Sequence, residues 1–233
     1  MKSKLPAFGH SLLSCLLLLL TPAVLYAQAT PSAAPVTPPV EKGAFRRPDL
    51  VELIRLDPSL KLDIRYATTN NFVGRPVYQE SRAFLQRPAA EALRRAHRQL
   101  RRQGYGLLIF DGYRPWAITK LFWEVTPTDK KQFVADPIKG SRHNRGCAVD
   151  LSLYDLRTGR EVEMPSAYDE MTERAYPNYQ GGSAKARQRR DLLRRVMEAA
   201  GFVVNEYEWW HFDFRGWREY PILNLSFAEL SQK

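Results

Sequence analysis

Two stretches of the chain repeat apolar residues at helical spacing. After Arg87-Pro88, Leu93, Ala96 and Leu100 recur until Gly104, and the segment from Ala184 to Gly201 carries Leu192, Leu193, Val196 and Ala200 in the same way. Proline in a first turn and glycine just past a last one bound helices, so the pattern predicts helices over about 87–104 and 184–201. Each runs directly into a strand-like stretch, Tyr105–Phe110 and Phe202–Tyr207. Ala148 to Leu153 alternates, with Val149, Leu151 and Leu153 on one face and Ala148, Asp150 and Ser152 on the other. Trp209 to Phe214 is an aromatic run with strand propensity. Elements in this mixed order, without repeated βαβ spacing, predict a single α+β domain with a central, largely antiparallel sheet flanked by helices.

The first 44 residues follow neither pattern. Lys2 and Lys4 precede an apolar run from Leu12 to Leu20, which Pro22-Ala23-Val24-Leu25 extends, and small residues follow at Ala27 and Ala29. The run is too short and too broken for a membrane span, so residues 1–29 are expected to be a cleavable signal peptide, cut after Ala27 or Ala29. Leu12-Leu13-Ser14-Cys15 has the form of a lipidation box, but five leucines follow Cys15, where such a box would end the apolar region. Residues 30–44, rich in Pro, Ala, Ser and Thr, read as a linker. The folded domain is then expected over 45–233.

Composition narrows the class. With 44% hydrophobic and 26% charged residues in 233, the chain can build a core and is neither collagen nor coiled coil. Two cysteines exclude a disulfide scaffold, and export would leave Cys147 as the only thiol. The net charge of +10 is concentrated in arginines 94, 95, 98, 101 and 102 and 187, 189, 190, 194 and 195, on the polar sides of the two predicted helices. Solvated helix faces account for this charge without a nucleic-acid partner. His97, within the first arginine group, is expected at the surface.

That leaves two histidines past residue 29, His143 in SRHNRGCAVD and His211 in EYEWWHFDF. A turn at Asn144-Arg145-Gly146 would fold His143 back beside Asp150 on the polar face of its strand. Glu208 stands three residues before His211. Two imidazoles, a carboxylate and an open fourth position make a catalytic zinc site, and a second carboxylate nearby could take a proton from water. Cys147 faces away from Asp150 in the alternation and is expected to pack, as are Trp209 and Trp210.

SRHNRGCAVD followed by EWWH resembles the zinc signature of the D-alanyl-D-alanine dipeptidases of the VanX type, within a wider group of zinc D,D-peptidases. The resemblance continues through DIRYATTNNFVG (63–74), FDGYRP (110–115), FVADPIKGSRH (133–143) and YDEMTER (168–174), and spans about residues 49–220. It implies one Zn2+ per chain, held by His143, Asp150 and His211 in a cleft on the sheet, with Glu208 as general base acting on a metal-activated water. It also implies that Arg114 opposes charge developing on the scissile carbonyl, that Asp169 binds the substrate ammonium, and that Ser141 supplies a small polar contact. Cys147 departs from the serine expected there, and AYPNY follows YDEMTER where relatives tend to carry histidines.

The function so implied is hydrolysis of the dipeptide D-Ala-D-Ala to two D-alanines, with no nucleic acid and no obligate protein partner. A periplasmic enzyme of this kind would act in peptidoglycan turnover or scavenging rather than glycopeptide resistance. The alternative is a D,D-carboxypeptidase or endopeptidase trimming peptidoglycan stem peptides with the same chemistry in an open groove. A zinc-bearing binding module has no use for Glu208, and a basic envelope-anchoring protein leaves the histidines and carboxylates unexplained.

Overall fold

A computed structural model describes residues 37–231, so the apolar run at Leu12–Leu20 and both cleavage options lie outside them. In chain order the elements are β1 (Leu50–Glu52), α1 (Leu53–Leu56), β2 (Lys61–Leu62), β3 (Phe84–Gln86), α2 (Arg87–Arg101), β4 (Tyr105–Asp111) and α3 (Trp116–Val125). β5 (Ala148–Asp155), α4 (Ala184–Ala200), β6 (Phe202–Val204), β7 (His211–Phe214) and α5 (Phe227–Ser231) follow. Five strands form one sheet in the order β2-β4-β5-β7-β6, in which only the β2–β4 pair is parallel. β1 and β3 make a separate antiparallel ribbon. The fold is therefore the expected single α+β domain. Among the described residues no helix is long and apolar enough to cross a membrane.

The helix boundaries fall where the punctuation predicts. Pro88 opens α2, and Ser183 caps α4 by accepting the Ala186 N–H at 3.0 Å. Gly201 ends α4 at φ 107°, a left-handed conformation in which a side chain would be strained. α2 and α4 pack against each other and against β4 and β6. Leu93, Leu100, Leu193 and Met197 are fully buried beneath them.

Two polar residues lie on the buried rather than the solvated side of these helices. His97 is fully buried: its Nδ1 accepts the Leu107 N–H at 3.1 Å and its Nε2 meets Ser59 Oγ at 3.0 Å. The surface expectation fails because His97 is four residues after Leu93 and three before Leu100, on the stripe facing β4. Arg190 is buried for the same reason, in line with Ala186, Leu193 and Met197, and donates to the Tyr179 carbonyl at 2.6 Å.

Two strands are shorter than predicted. β6 stops at Val204 because the Asn205 side chain accepts the Tyr207 N–H at 2.8 Å and turns the chain. β7 starts at His211, since Trp209 gives its N–H to the Ala175 carbonyl rather than to a neighbouring strand. Glu208 therefore sits on a tight loop between them. Near the N-terminal end, Glu41 pairs with Arg145 and accepts the Ile222 N–H at 2.6 Å, which fixes the residues before β1 onto the domain.

The sheet is irregular at one place. Ile109 of β4 faces Leu151 of β5, but the next pair is Asp111 with Asp150, so Phe110 is an extra residue. This bulge turns Asp111 to the same face as Asp150. Across the other edge of β5, Asp150 pairs with His211 of β7. Three adjacent strands thus present a row of Asp111, Asp150 and His211.

Candidate active site

His143 reaches this row through the predicted turn. Residues His143–Arg145 form one 3-10 turn, and Gly146, at φ 66°, returns the chain into β5. A side chain at Gly146 would be strained by the left-handed backbone and would also have to displace Leu50 Cδ2, which a Cβ there would approach to 2.3 Å. The turn is tied down by Asn144, fully buried, whose Nδ2 donates to the Arg114 carbonyl at 2.9 Å and to Thr119 Oγ1 at 2.8 Å. Ser141, also buried, accepts the His143 N–H on its Oγ at 3.2 Å.

The result is a cluster of three donor atoms. His143 Nε2 and His211 Nδ1 are 3.1 Å apart, and Asp150 Oδ1 lies 3.3 Å from the first and 3.0 Å from the second. The partners of the remaining ring nitrogens fix which atoms face inward. His143 Nδ1 lies 2.7 Å from the Gly112 carbonyl, which can only accept, so it carries the proton there. His211 Nε2 donates to Asp213 Oδ1 at 2.9 Å. With a cation in place, His143 Nε2 and His211 Nδ1 would each turn a lone pair toward it beside Asp150, whose buried Oδ1 makes no hydrogen bond. Without one, a proton held on His211 supplies the positive charge.

Lone pairs converging at this distance in a buried site need a positive charge between them. Burial lowers the His211 imidazole and raises the Asp150 carboxyl, but their partners win in both cases. Asp213 and Asp150 hold His211 well above the usual histidine range, while His143 and His211 hold Asp150 well below that of a carboxylate. Two imidazoles and a carboxylate, all within 4.8 Å of one another, suit a divalent cation such as zinc. The donor set and the orphaned Oδ1 fit that role.

Around the cluster the remaining candidates converge on one cavity of about 380 Å³, lined among others by Arg114, Ser141, Asp169 and Glu208. Arg114 is buried, its Nε and Nη2 both 2.9 Å from Asp111 Oδ2, and its guanidinium lies over Phe122 at 4.7 Å. Asp111 is held in turn by Tyr78 Oη at 2.9 Å and the Gly112 N–H at 2.8 Å. The Glu208 carboxylate stands 3.8 Å from His211 Nδ1, and burial, with the charges of Asp150 and Asp169, pushes it up to about 8.

Asp169 begins no helix; it adopts φ 61°, a left-handed conformation that aspartate tolerates better than most residues. Its Oδ1 accepts from Tyr66 Oη at 3.0 Å, and its buried Oδ2 has no hydrogen-bond partner. Burial and the Asp150 charge push it up to about 7. Cys147, fully buried, packs as expected, and burial raises its thiol to about 12. Trp209 and Trp210 are buried as well.

Four further residues of the site stand within the motif stretches but carry no role from the sequence alone: Asp111, Asn144, Tyr168 and Asp213. Tyr168 donates to Asp150 Oδ2 at 3.0 Å. Asp213 orients His211, and Arg142 stands 3.4 Å from the other oxygen of that carboxylate. Partners of this kind are worth roughly 10–100-fold in metal affinity. Asp213 lies two residues after His211, so strand alternation places both on one face.

The Peptidase_M15 family model, described as D-ala-D-ala dipeptidase, matches residues 46–228. The chain belongs to the M15 peptidases. The D-alanyl-D-alanine dipeptidase of Escherichia coli K12 is 34% identical over 180 residues, covering 77% of this chain and 92% of that protein. That of Enterococcus faecalis is 37% identical over 191 residues, covering 72% of this chain and 92% of the relative. Among solved structures, the vancomycin-resistance D,D-dipeptidase VanXYg, in complex with a D-Ala-D-Ala phosphinate analog, superimposes with a TM-score of 0.36. That likeness has 20% identity over 60% of this chain and 52% of the other, and is too distant to add to the assignment. As an M15 peptidase the chain is a metallopeptidase, and its family acts on D,D-dipeptides.

Proposed function

We propose that this M15 peptidase hydrolyses D-Ala-D-Ala to two D-alanines with one zinc ion held by His143, Asp150 and His211. The observation that carries the reading is a pairing within one small cavity. Donor atoms converging on a cation position share it with a buried, unpartnered carboxylate oxygen, Asp169 Oδ2. Zinc, when bound there, polarises the attacking water and the scissile carbonyl.

The chain's own groups do the rest. Glu208 takes a proton from the attacking water and returns it to the leaving amine, a task suited to a carboxyl whose proton affinity burial raises and which the charge of a bound cation would keep ionised. Arg114 cannot swing away, because Asp111 holds it, so its charge is already in place for the negative charge that develops on the carbonyl oxygen. Asp169 receives the substrate ammonium on Oδ2 while Tyr66 occupies Oδ1. Ser141 fixes the His143 turn and offers its hydroxyl to the bound dipeptide.

Capture of a free amine separates a dipeptidase from a D,D-carboxypeptidase. N-acetyl-D-Ala-D-Ala lacks the charge and should leave Asp169 unpaired, at roughly 2–5 kcal/mol, or about thirtyfold to several thousandfold in kcat/KM. Asp169→Asn should narrow the gap between free and acetylated substrate. Equal kcat/KM values for the two substrates with the wild-type protein would contradict the dipeptidase reading and favour the carboxypeptidase.

The basic and apolar residues before Ala29 support export to the periplasm, where the dipeptide released by wall turnover is the available substrate. Turnover or scavenging follows from that location more directly than glycopeptide resistance. Fractionation of cells expressing the full chain should find the activity in the periplasm; activity confined to the cytosol would overturn this part of the proposal.

A further inference from the structure

We infer that Phe72 sets the length of the accepted substrate, by closing the cavity at the end where the amino group binds; this rests on the dipeptidase reading above. Phe72 lies on the loop between the Arg65–Ala67 turn and β3. The neighbouring Asn71 staples that loop. Its Nδ2 donates to the carbonyls of Thr68 at 2.7 Å, Arg75 at 3.0 Å and Arg65 at 3.2 Å, and its Oδ1 accepts the Val73 N–H at 2.9 Å. The ring is held edge-on by Phe122 at 4.9 Å and by Tyr66 at 6.3 Å, the tyrosine that donates to Asp169.

A second hollow lies behind this ring. It measures about 210 Å³ and is lined by Arg65, Thr69, Asn70, Asn71 and Tyr168, with Thr69 and Asn70 exposed. Phe72 and Asp169 are the two residues that border both this hollow and the 380 Å³ cavity. They form the partition between them.

The two halves of the partition differ in kind. Asp169 is fixed by its backbone conformation and by Tyr66, and it presents the carboxylate oxygen that the amine needs. Phe72 contributes only an apolar ring. A substrate carrying one more residue on its amino end, extended past Asp169, would run into that ring on the way to the second hollow. Exclusion by a rigid apolar wall is a steric device, distinct from the charge preference that Asp169 supplies.

The test compares zinc-loaded wild type, Phe72→Ala and Phe72→Leu on D-Ala-D-Ala and on the tripeptide Gly-D-Ala-D-Ala. Opening the wall should raise the ratio of kcat/KM for tripeptide over dipeptide on the order of tenfold or more in Phe72→Ala and by less in Phe72→Leu. The tripeptide should remain the poorer substrate, because it sets an amide rather than an ammonium against Asp169. A general loss of packing would lower both rates and leave the ratio where it was. An unchanged ratio in either variant that still binds zinc and cleaves the dipeptide overturns the inference, and Phe72→Leu alone decides if Phe72→Ala fails to fold. Failure of the wild type to cleave D-Ala-D-Ala would instead strike at the dipeptidase reading itself.

Discussion

Replacing Glu208 with glutamine is expected to lower kcat on D-Ala-D-Ala by roughly 10²–10⁴-fold, the usual contribution of a positioned acid or base. Glutamine keeps the volume and one acceptor oxygen but cannot take a proton. The carboxylate is 3.8 Å from His211 Nδ1 and is not one of the three converging donors, so metal content and melting temperature should stay at wild-type values. KM should change little, because the lost interaction belongs to the transition state. A variant that retained the wild-type rate would remove Glu208 from the chemistry.

Replacing His143 or His211 with alanine should have a different signature, with loss of metal, activity and stability together. Two ligands remain in either variant, and Asp150, 3% exposed, loses one of the imidazoles that make its charge tolerable. Removing one partner from a buried charge pair costs roughly 3–5 kcal/mol. Metal binding adds to folding free energy when only the folded chain has the site, so the melting temperature should fall further and stop responding to added zinc. Metal content measured on the purified variants, beside the melting curves, separates this outcome from that of Glu208→Gln.

Much of the frame was legible because its boundaries use residues with one structural meaning. Pro88 and Gly201 leave little choice about where α2 begins and α4 ends. The donor set was legible for a different reason: past residue 29 the sequence has three histidines, and two of them have a carboxylate within reach through a turn or strand end, Asp150 seven residues after His143 and Glu208 three before His211. His97 and Arg190 depart from the expected solvated faces because position along the helix outweighs polarity. Both fall on the apolar stripe when counted from Leu93 and Ala186, and each is satisfied there by hydrogen bonds that a linear pattern does not show.

Other features had no local signal. The segment Trp116–Val125 forms α3 without a side-chain cap, and nothing in its apolar residues separates it from a strand. The bulge at Phe110 depends on the pairing of β4 with β5, and without it Asp111 would not share a face with Asp150. The 210 Å³ hollow behind Phe72 likewise exists only once residues distant in sequence, Arg65 and Tyr168, are brought together.

The most direct test of the metal-dependent account is a zinc titration of the chelator-treated wild-type protein, followed by alanine release from D-Ala-D-Ala. Activity should be absent after chelation, rise in proportion to added zinc, and level off at about one ion per chain, as a single three-ligand site requires. The His143→Ala protein, carried through the same titration, should stay inactive throughout. Full activity in the chelated wild type, or a zinc-dependent rise of wild-type size in the variant, would contradict the account.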